Sequence, residues 1–256
     1  MFLHTYHPSS VLFEIGSIKV YAYGLIMAIS ILASFFVFSR LAQRKINLAK
    51  NKIFDLFFYL VIFGIVGARL YYILSGPKYF FYHPGEMFFL WQGGVGIYGA
   101  LVVGLIVLYF FSRRQKISFL NLSDCVAPAV VLGQAIGRWG NYFNQEVYGR
   151  PTNLPWGIPV GSEYFHPTFL YESIFDSIIF LFLIFLGKKQ KNIPGEIFSW
   201  YLILYPLGRF FIEFLRIDQR PILFGLKLAQ FFSLGLFIGG LLLGRRLRAK
   251  ANAQTS

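Results

Sequence analysis

The segment Gly133–Gly157 reads GQAIGRWGNYFNQEVYGRPTNLPWG and combines two properties that rarely occur together. It continues an apolar run of Ala, Val, Leu and Gly that suits lipid, yet it carries Arg138, followed by asparagines and a carboxylate. An arginine near the centre of a spanning helix costs about 2.5–3.5 kcal/mol on insertion scales, and such residues usually face the interior of a helix bundle. The segment therefore predicts a spanning helix that ends beside a polar, functional site.

The composition of the whole chain supports a membrane location. Of its 256 residues, 56% are hydrophobic and 20% aromatic, and only 14% are charged, whereas a soluble domain has about 25% charged residues. Too few charges are present to cover a water-facing surface of this size, which excludes the soluble class. The single cysteine, Cys125, excludes an intrachain disulfide framework and a paired-thiol metal site, and we expect it to serve packing.

Seven apolar stretches are long enough to cross the hydrocarbon core, which takes about 20 residues at 1.5 Å per residue. The N-terminus lacks the basic region and the cleavage site of a secretory signal peptide, so we expect the first stretch to be retained. The sequence predicts an all-α polytopic bundle of about seven transmembrane helices in a single domain, 1–256, with the Pro- and Gly-rich residues 144–165 as a small external cap. The predicted spans are Val20–Ser39, Ile53–Leu74, Met87–Phe111, Phe119–Gly140, Pro167–Leu186, Glu196–Leu215 and Ile222–Leu243.

The loop lysines and arginines predict the orientation of the bundle. Fifteen basic residues follow spans one, three, five and seven, and these gaps are therefore predicted to be cytoplasmic, with the N-terminus outside and the C-terminus inside. This orientation and contact with anionic lipid account for the net charge of +13 without a nucleic acid partner. The six basic residues assigned to the outer side are Lys19, Lys78, Arg150, Arg216, Arg220 and Lys227.

Three arginines remain inside the predicted spans, namely Arg69, Arg138 and Arg209. Spans two, four and six all run outward, and each arginine lies within about 10 Å of the outer interface at 1.5 Å per residue. Extension of the guanidinium to the lipid headgroups is one explanation. An anion site is the other, because the planar fork of arginine donates two parallel hydrogen bonds to a phosphate. Three arginines at one level favour the anion site.

Span six adds a second indication of such a site. Tyr205, Arg209, Glu213 and Arg216 are spaced i, i+4, i+8 and i+11, so they share one face of a helix. Glu213 can hold both arginines and offset part of their charge. A purely structural ladder of ion pairs is the alternative explanation.

The motif GRWGNYFNQEVYG, residues 137–149, resembles the signature of the bacterial prolipoprotein diacylglyceryl transferases, roughly G-R-x-G-N-F-x-N-x-E-x-x-G, with Tyr142 in place of the usual Phe. Four other blocks also resemble that family, and together their order and spacing cover nearly the whole chain. They are YAYGLIM at Tyr21–Met27, GGVGIYGALVVG at Gly93–Gly104, HPTFLYE at His166–Glu172 and YPLGRFFIEFLR at Tyr205–Arg216.

The resemblance implies transfer of a diacylglyceryl group from phosphatidylglycerol to the lipobox cysteine that follows the signal peptide of a prolipoprotein. It implies release of glycerol phosphate, no metal and no soluble cofactor. The implied partners are phosphatidylglycerol, prolipoprotein signal peptides and membrane lipid. The implied location is the bacterial plasma membrane, with the active site toward the outer leaflet.

The resemblance also assigns candidate site residues. Arg138 and Arg209 are expected to contact the headgroup and the leaving phosphate, with Asn141 and Glu146 beside them. The positive field of the arginines would lower the pKa of the incoming thiol from about 8.5. The other residues expected to contact the lipid are Tyr23, Arg69, Gly149, His166, Tyr205, Glu213 and Arg216.

The general base stays open at this stage. Tyr98 stands where many family members carry a histidine that is a favoured candidate base. A tyrosine, with a pKa near 10, is a poor base at neutral pH but a good hydrogen-bond donor. Glu146 or His166 could take the proton instead, or the lowered pKa of the thiol could make a dedicated base unnecessary.

Two other functions compete with the transferase. A transporter or lipid flippase would use the arginines as an anion pathway, but such folds often show two related halves, and the sequence shows no internal repeat. A non-catalytic lipid-binding scaffold would not require Asn, Glu, Arg and Tyr side chains to converge from several spans.

Overall fold

The computed structural model describes residues 2–16, 18–89, 94, 96–188, 193–217 and 223–253. The described residues are mostly helical and include two small antiparallel hairpins. The helices are α1 (Phe2–Thr5), α2 (Ala22–Ile46), α3 (Lys50–Ser75), α4 (Pro77–Tyr82), the 3₁₀ helix η1 (Pro84–Phe88), α5 (Ile97–Arg114), α6 (Phe119–Phe143), α7 (Thr168–Gly187), α8 (Glu196–Ile212) and α9 (Leu228–Ala253). The strands are β1 (Val11–Ile15), β2 (Ile18–Tyr21), β3 (Ile158–Val160) and β4 (Glu163–Phe165).

Six of the described helices are long and apolar enough to cross a membrane: α2, α3, α5, α6, α7 and α9. Many of their large apolar side chains are exposed, as lipid-facing residues are, for example Leu74 at 75% and Phe185 at 67%. The predicted sixth span corresponds to α8, which has 17 residues. Its length of about 25 Å at 1.5 Å per residue is less than a hydrocarbon core of about 30 Å. The all-α polytopic prediction is confirmed, with α8 as a shorter helix.

Two predicted spans begin later in the structure than in the sequence interpretation. The third was expected from Met87, but Pro84 starts the 3₁₀ helix η1 and α5 begins only at Ile97. Between them Gly94 has a φ of +72°, which a helix does not allow. Much of the glycine-rich block that precedes α5 lies outside the described residues. The seventh span was expected from Ile222, also outside them, whereas α9 begins at Leu228.

The chain divides into two compact units, one of Met1–Phe38 with Asp124–Ser256 and one of Ser39–Ser123. Helices α2 and α6 each contribute to both units. Inside the Ser39–Ser123 unit, α3 packs against α5 where Gly67 meets Gly99, and a Cβ on either glycine would overlap the other helix. The expected single domain over 1–256 stays a prediction.

The core of the other unit joins α6, α7 and α8. Its buried members are Val131, Ile179, Leu183, Leu186 and Ile197. Helix α8 packs against α7 on one side and α9 on the other. A second core of Tyr142, Ile158 and Phe169 joins the end of α6, strand β3 and the start of α7. These contacts fix α8 beside the ends of α6 and α7, where the predicted site residues lie.

The predicted cap, residues 144–165, forms a small folded region. Strands β3 and β4 pair as a hairpin, and Pro151 extends the pairing to Phe165. The N-terminal helix α1 packs on it, with the ring of His4 stacked on Tyr164 at 4.1 Å between ring centroids. The location of this cap outside the membrane stays a prediction.

Asp124 of α6 caps the first turn of α8. Its two carboxylate oxygens accept hydrogen bonds from the backbone N–H groups of Gly195, at 2.9 Å, and Phe198, at 2.8 Å. The first N–H groups of a helix have no intrahelical partner, and an acidic side chain there also favours the helix dipole. Asp124 is 1% exposed, so water cannot replace it.

We expect Asp124→Ala to lower the free energy of unfolding by about 1–3 kcal/mol for each buried N–H left without a partner. Asp124→Asn retains one carbonyl oxygen and should fall between the wild type and the alanine variant. Thermal unfolding in detergent measures the order of the three proteins. Equal unfolding temperatures for all three would show that Asp124 does not support α8.

Candidate active site

Glu172 of α7 lies at the centre of a buried group of arginines. One of its oxygens pairs with Nε of Arg138 on α6. The other accepts a hydrogen bond of 2.8 Å from Nη1 of Arg209 on α8 and lies 3.6 Å from Nη1 of Arg216. One carboxylate thus fixes guanidinium groups that come from α6, from α8 and from the turn after α8.

Glu213 is a second buried carboxylate in the same group and has no exposed surface. It pairs with Nη2 of Arg209 and lies 3.9 Å from Nε of Arg216. Nζ of Lys227 lies 3.5 Å from its other oxygen. Arg209, Glu213 and Arg216 therefore meet as the spacing on one helix face predicts, although α8 itself ends at Ile212.

We call the residues Arg138, Glu172, Arg209, Glu213, Arg216 and Lys227 the arginine cluster. Its members are connected through the ion pairs described above. Asp176, one turn after Glu172, is buried and lies within electrostatic range of Arg138 and Arg209. Four cations against three carboxylates leave one positive charge in excess even if Asp176 is ionised. Because isolated charge is costly in a medium of low dielectric constant, such an excess suits an anionic ligand.

Tyr205 of α8 lies near Arg138. Its hydroxyl is within electrostatic range of the Arg138 guanidinium. The ring of Tyr205 stacks on Tyr201, one turn earlier, with 5.6 Å between ring centroids. Among the three arginines of the cluster, the side chain of Arg138 is the most exposed at 21%, against 13% for Arg209 and 6% for Arg216. Arg138 and Arg209 are therefore better placed than Arg216 to reach a ligand.

The end of the signature motif forms a tight turn after α6. The Asn141 side chain donates a hydrogen bond of 2.9 Å to the carboxylate of Glu146, and Asn144 donates a second of 3.4 Å. Gln145 and Val147, on either side of Glu146, both have positive φ. For the β-branched Val147 this is an outlier, and such backbone persists only where surrounding contacts fix it. The Thr168 hydroxyl supplies one such contact by donating to the Val147 carbonyl.

Gly149, which closes the motif, brings the cap next to the cluster. It pairs as an isolated β-bridge with Arg216, and its N–H donates to the His166 carbonyl at 2.9 Å. A Cβ at this position would lie 2.7 Å from Cβ of His166 and 3.1 Å from the Leu215 carbonyl oxygen. The motif therefore needs glycine here because the His166 side chain, and next to it the chain that carries Arg216, approach so closely.

Tyr23 and His166 border this region. The ring of Tyr23 on α2 packs where Gly140 has no side chain, and a Cβ on that glycine would lie 2.7 Å from the ring. Nδ1 of His166 lies 3.1 Å from the Tyr171 hydroxyl, which also accepts a hydrogen bond from Trp156. The predicted residues Tyr23, Arg138, Asn141, Glu146, Gly149, His166, Tyr205, Arg209, Glu213 and Arg216 all belong to one compact unit.

Arg69 and Tyr98 belong to the Ser39–Ser123 unit. The Arg69 guanidinium donates to the carbonyls of Met87, at 3.0 Å, Glu86 and Gly94, and it lies over the ring of Tyr72. These contacts account for the burial of Arg69 without a bound anion, and its contact with lipid stays a prediction. Tyr98, in the first turn of α5, lies 5.8 Å from Tyr71 between ring centroids. Its role in the reaction also stays a prediction.

Two members of the arginine cluster were not recognised in the sequence. Glu172 was noted only as a neighbour of His166, although its HPTFLYE block carried a usable signal. Lys227 was counted only among the basic residues of the outer side, and Arg216 was counted there and also predicted as a site residue. In the structure they are 8% and 7% exposed and paired with carboxylates, and their side of the membrane stays a prediction. Both side chains reach the cluster through Glu213.

Gly208, next to Arg209, allows α8 to lie against α7, because a Cβ there would overlap the ring of Phe175. We expect Gly208→Ala to lower the free energy of unfolding by about 1–3 kcal/mol through overpacking. Gly239→Ala on α9 is the matched control, because nothing lies within 4 Å of the added Cβ. Adding Phe175→Leu should recover part of the loss. Equal thermal stability of the two single variants would contradict this packing.

Comparisons with known proteins identify the family of this chain. A model of the prolipoprotein diacylglyceryl transferase family matches residues 10–244. A phosphatidylglycerol--prolipoprotein diacylglyceryl transferase of Finegoldia magna is 40% identical over 233 residues, which cover 91% of this chain and 93% of the relative. A phosphatidylglycerol--prolipoprotein diacylglyceryl transferase of a Nostoc species is 43% identical over 249 residues, which cover 91% of this chain and 87% of the relative. This chain is a multi-pass membrane protein and belongs to the prolipoprotein diacylglyceryl transferase family.

Proposed function

We propose that this chain transfers the diacylglyceryl group of phosphatidylglycerol to the lipobox cysteine of prolipoproteins, and that the arginine cluster binds the lipid phosphate. Its membership of the family and the names of its relatives support the reaction. The phosphate site is inferred from the excess of positive charge that is buried around Glu172 and Glu213.

The reaction changes the charge on the phosphate. The cysteine sulfur attacks the glyceryl carbon that is bonded to the phosphate oxygen. A carbon–sulfur bond forms, the carbon–oxygen bond breaks, and its electron pair remains on the departing glycerol phosphate. A phosphodiester with one negative charge becomes a phosphomonoester that carries more negative charge. Preorganised cations at those oxygens therefore stabilise the transition state more than the ground state.

The residues of the cluster divide into two roles. Arg138 and Arg209, the two more exposed arginines, donate to the phosphate oxygens. Arg216, Glu172 and Glu213 lie behind them and hold their guanidinium groups in place. The Tyr205 hydroxyl, within electrostatic range of Arg138, adds to the polar surroundings of this guanidinium.

The thiol proton needs an acceptor or direct release to water. Glu146, an exposed carboxylate held by Asn141, is the acceptor that we favour over Tyr98. The positive cluster assists by stabilising the thiolate that attacks. Tyr98 then acts as a hydrogen-bond donor to the headgroup, and His166 and Tyr23 border the lipid.

We place the chain in the bacterial plasma membrane, with the cluster toward the outer leaflet. The bias of the loop charges supports this orientation, because 15 basic residues on the predicted cytoplasmic side oppose six on the other side. In this orientation the site faces the leaflet from which a signal peptide presents its lipobox.

The test uses purified protein in detergent with phosphatidylglycerol and a synthetic lipobox peptide. Glycerol phosphate release and the mass of the peptide are followed together. We expect equal amounts of released glycerol phosphate and diacylglyceryl peptide, and neither product with a peptide whose cysteine is replaced by serine. If the lipid binds but no product forms with this or a zwitterionic lipid, the transferase proposal fails and a transporter or scaffold is the better explanation.

A further inference from the structure

Lys227 makes contacts that are unusual for a residue between two helices. It is buried, and its Nζ donates to the backbone carbonyls of Glu213, at 2.8 Å, and Arg216, at 2.5 Å. The same nitrogen lies 3.5 Å from a carboxylate oxygen of Glu213. One ammonium thus contacts the backbone of two cluster residues and the side chain of one of them.

The position of Lys227 is unfavourable for its own helix. It directly precedes Leu228, the first residue of α9, where Ser, Thr, Asp and Asn are preferred because they accept a hydrogen bond from the first turn. Lysine cannot accept one, and its charge opposes the positive end of the helix dipole. Gln230 at the third helical position supplies half of a capping box instead, with its Oε1 accepting the Lys227 N–H at 2.9 Å. The cationic side chain therefore contributes nothing to the start of α9.

The same side chain suits the end of α8. The last carbonyls of a helix lack intrahelical partners, and a cation there is favourable to the dipole. The turn from Glu213 to Arg216 follows α8 directly and carries the second carboxylate and the most buried arginine of the cluster. The uncharged side chain of Gln230 also contacts this end of α8, because its Nε2 donates a hydrogen bond of 3.2 Å to the Phe210 carbonyl.

We propose that Lys227 is a positioning residue for the phosphate site: its ammonium fixes the turn Glu213–Arg216 and shares the Glu213 carboxylate with Arg209 and Arg216. This inference rests on the proposed function. With Lys227 in place, Glu213 is balanced by three cations, and through its pair with Glu213 the fork of Arg209 keeps the orientation that the phosphate requires. Without Lys227, the turn Glu213–Arg216 lacks two hydrogen bonds. The cluster also lacks one of the positive charges that would offset the negative charge gained by the leaving phosphate.

A purely structural role for Lys227 would affect folding alone. Gln230→Met is the matched control, because it removes contacts to Lys227 N–H and the Phe210 carbonyl at the same junction but leaves the ammonium in place. The experiment measures kcat and KM for phosphatidylglycerol on equal amounts of folded protein, together with the unfolding temperature, for the wild type, Lys227→Met, Lys227→Arg and Gln230→Met.

We expect Lys227→Met to lower kcat/KM by about 10- to 100-fold, the range of a buried hydrogen bond to a charged group. Lys227→Arg should restore most of the loss, and Gln230→Met should lower the unfolding temperature with kcat/KM nearly unchanged. Equal kcat/KM for Lys227→Met and the wild type, or equal losses in Lys227→Met and Gln230→Met, would overturn the inference. If Lys227→Met does not fold, Lys227→Gln provides the comparison, because it keeps a donor for the carbonyls and lacks the charge. An inactive wild type would instead refute the proposed function.

Discussion

Arg138→Lys is expected to lower kcat for diacylglyceryl transfer by about 10²-fold or more, the effect of removing one preorganised donor from a developing anion. Lysine keeps the charge but loses the planar fork, so it cannot pair with Glu172 through one nitrogen and donate to a phosphate through the others. The measurement is the rate of glycerol phosphate release at saturating phosphatidylglycerol.

Arg150→Lys is the control for this change. Arg150 follows the same motif, but its side chain is exposed, and its backbone carbonyl makes the contact to His166 N–H. We expect its kcat to remain within about twofold of the wild type, as for most surface changes. If both variants retain the wild-type rate, Arg138 does not act on the leaving phosphate.

Glu172→Gln should have the second large effect, on stability and on activity together. The change removes a carboxylate that three arginines share, and these arginines are left facing one another in a buried region. Removing one partner of a buried ion pair lowers the free energy of unfolding by about 3–5 kcal/mol. Although the site becomes more positive, we expect kcat to fall because the guanidinium groups lose their common anchor. Unfolding in detergent and single-turnover transfer measure the two effects.

Glu163→Gln makes the same chemical change in the cap, where the side chain is exposed, and should leave both quantities unchanged. A Glu172→Gln protein that unfolds at the wild-type temperature and transfers at the wild-type rate would show that Glu172 is not the centre of the cluster.

Much of this site follows from the sequence because helical spacing is local. The interval from Arg209 to Glu213 is one helical turn, and the ion pair between them is observed. Gly149 was predicted from the motif, but its physical role, the close approach of His166 and of the Arg216 chain, needed tertiary structure.

The remaining features depend on contacts between distant parts of the chain. Glu172 is central because α7 and α8 meet where Gly208 lacks a side chain. A single sequence does not show which residues of the two helices lie opposite each other. Lys227 was counted only among the outer basic residues, because a single sequence does not show that the residue before α9 contacts the turn after α8. The hairpin of β3 and β4 was expected only as a cap, since its strands of three residues are too short for a recognisable alternation.

A structure of the protein with bound phosphatidylglycerol tests the phosphate site most directly. We expect phosphate oxygens about 2.7–2.9 Å from guanidinium nitrogens of Arg138 and Arg209, the range of charge-assisted hydrogen bonds. The ion pairs of Glu172 and Glu213 should persist behind them. A phosphate bound elsewhere in the protein, with Arg138 and Arg209 contacting only Glu172 and Glu213, would contradict the assignment of the arginine cluster as the phosphate site.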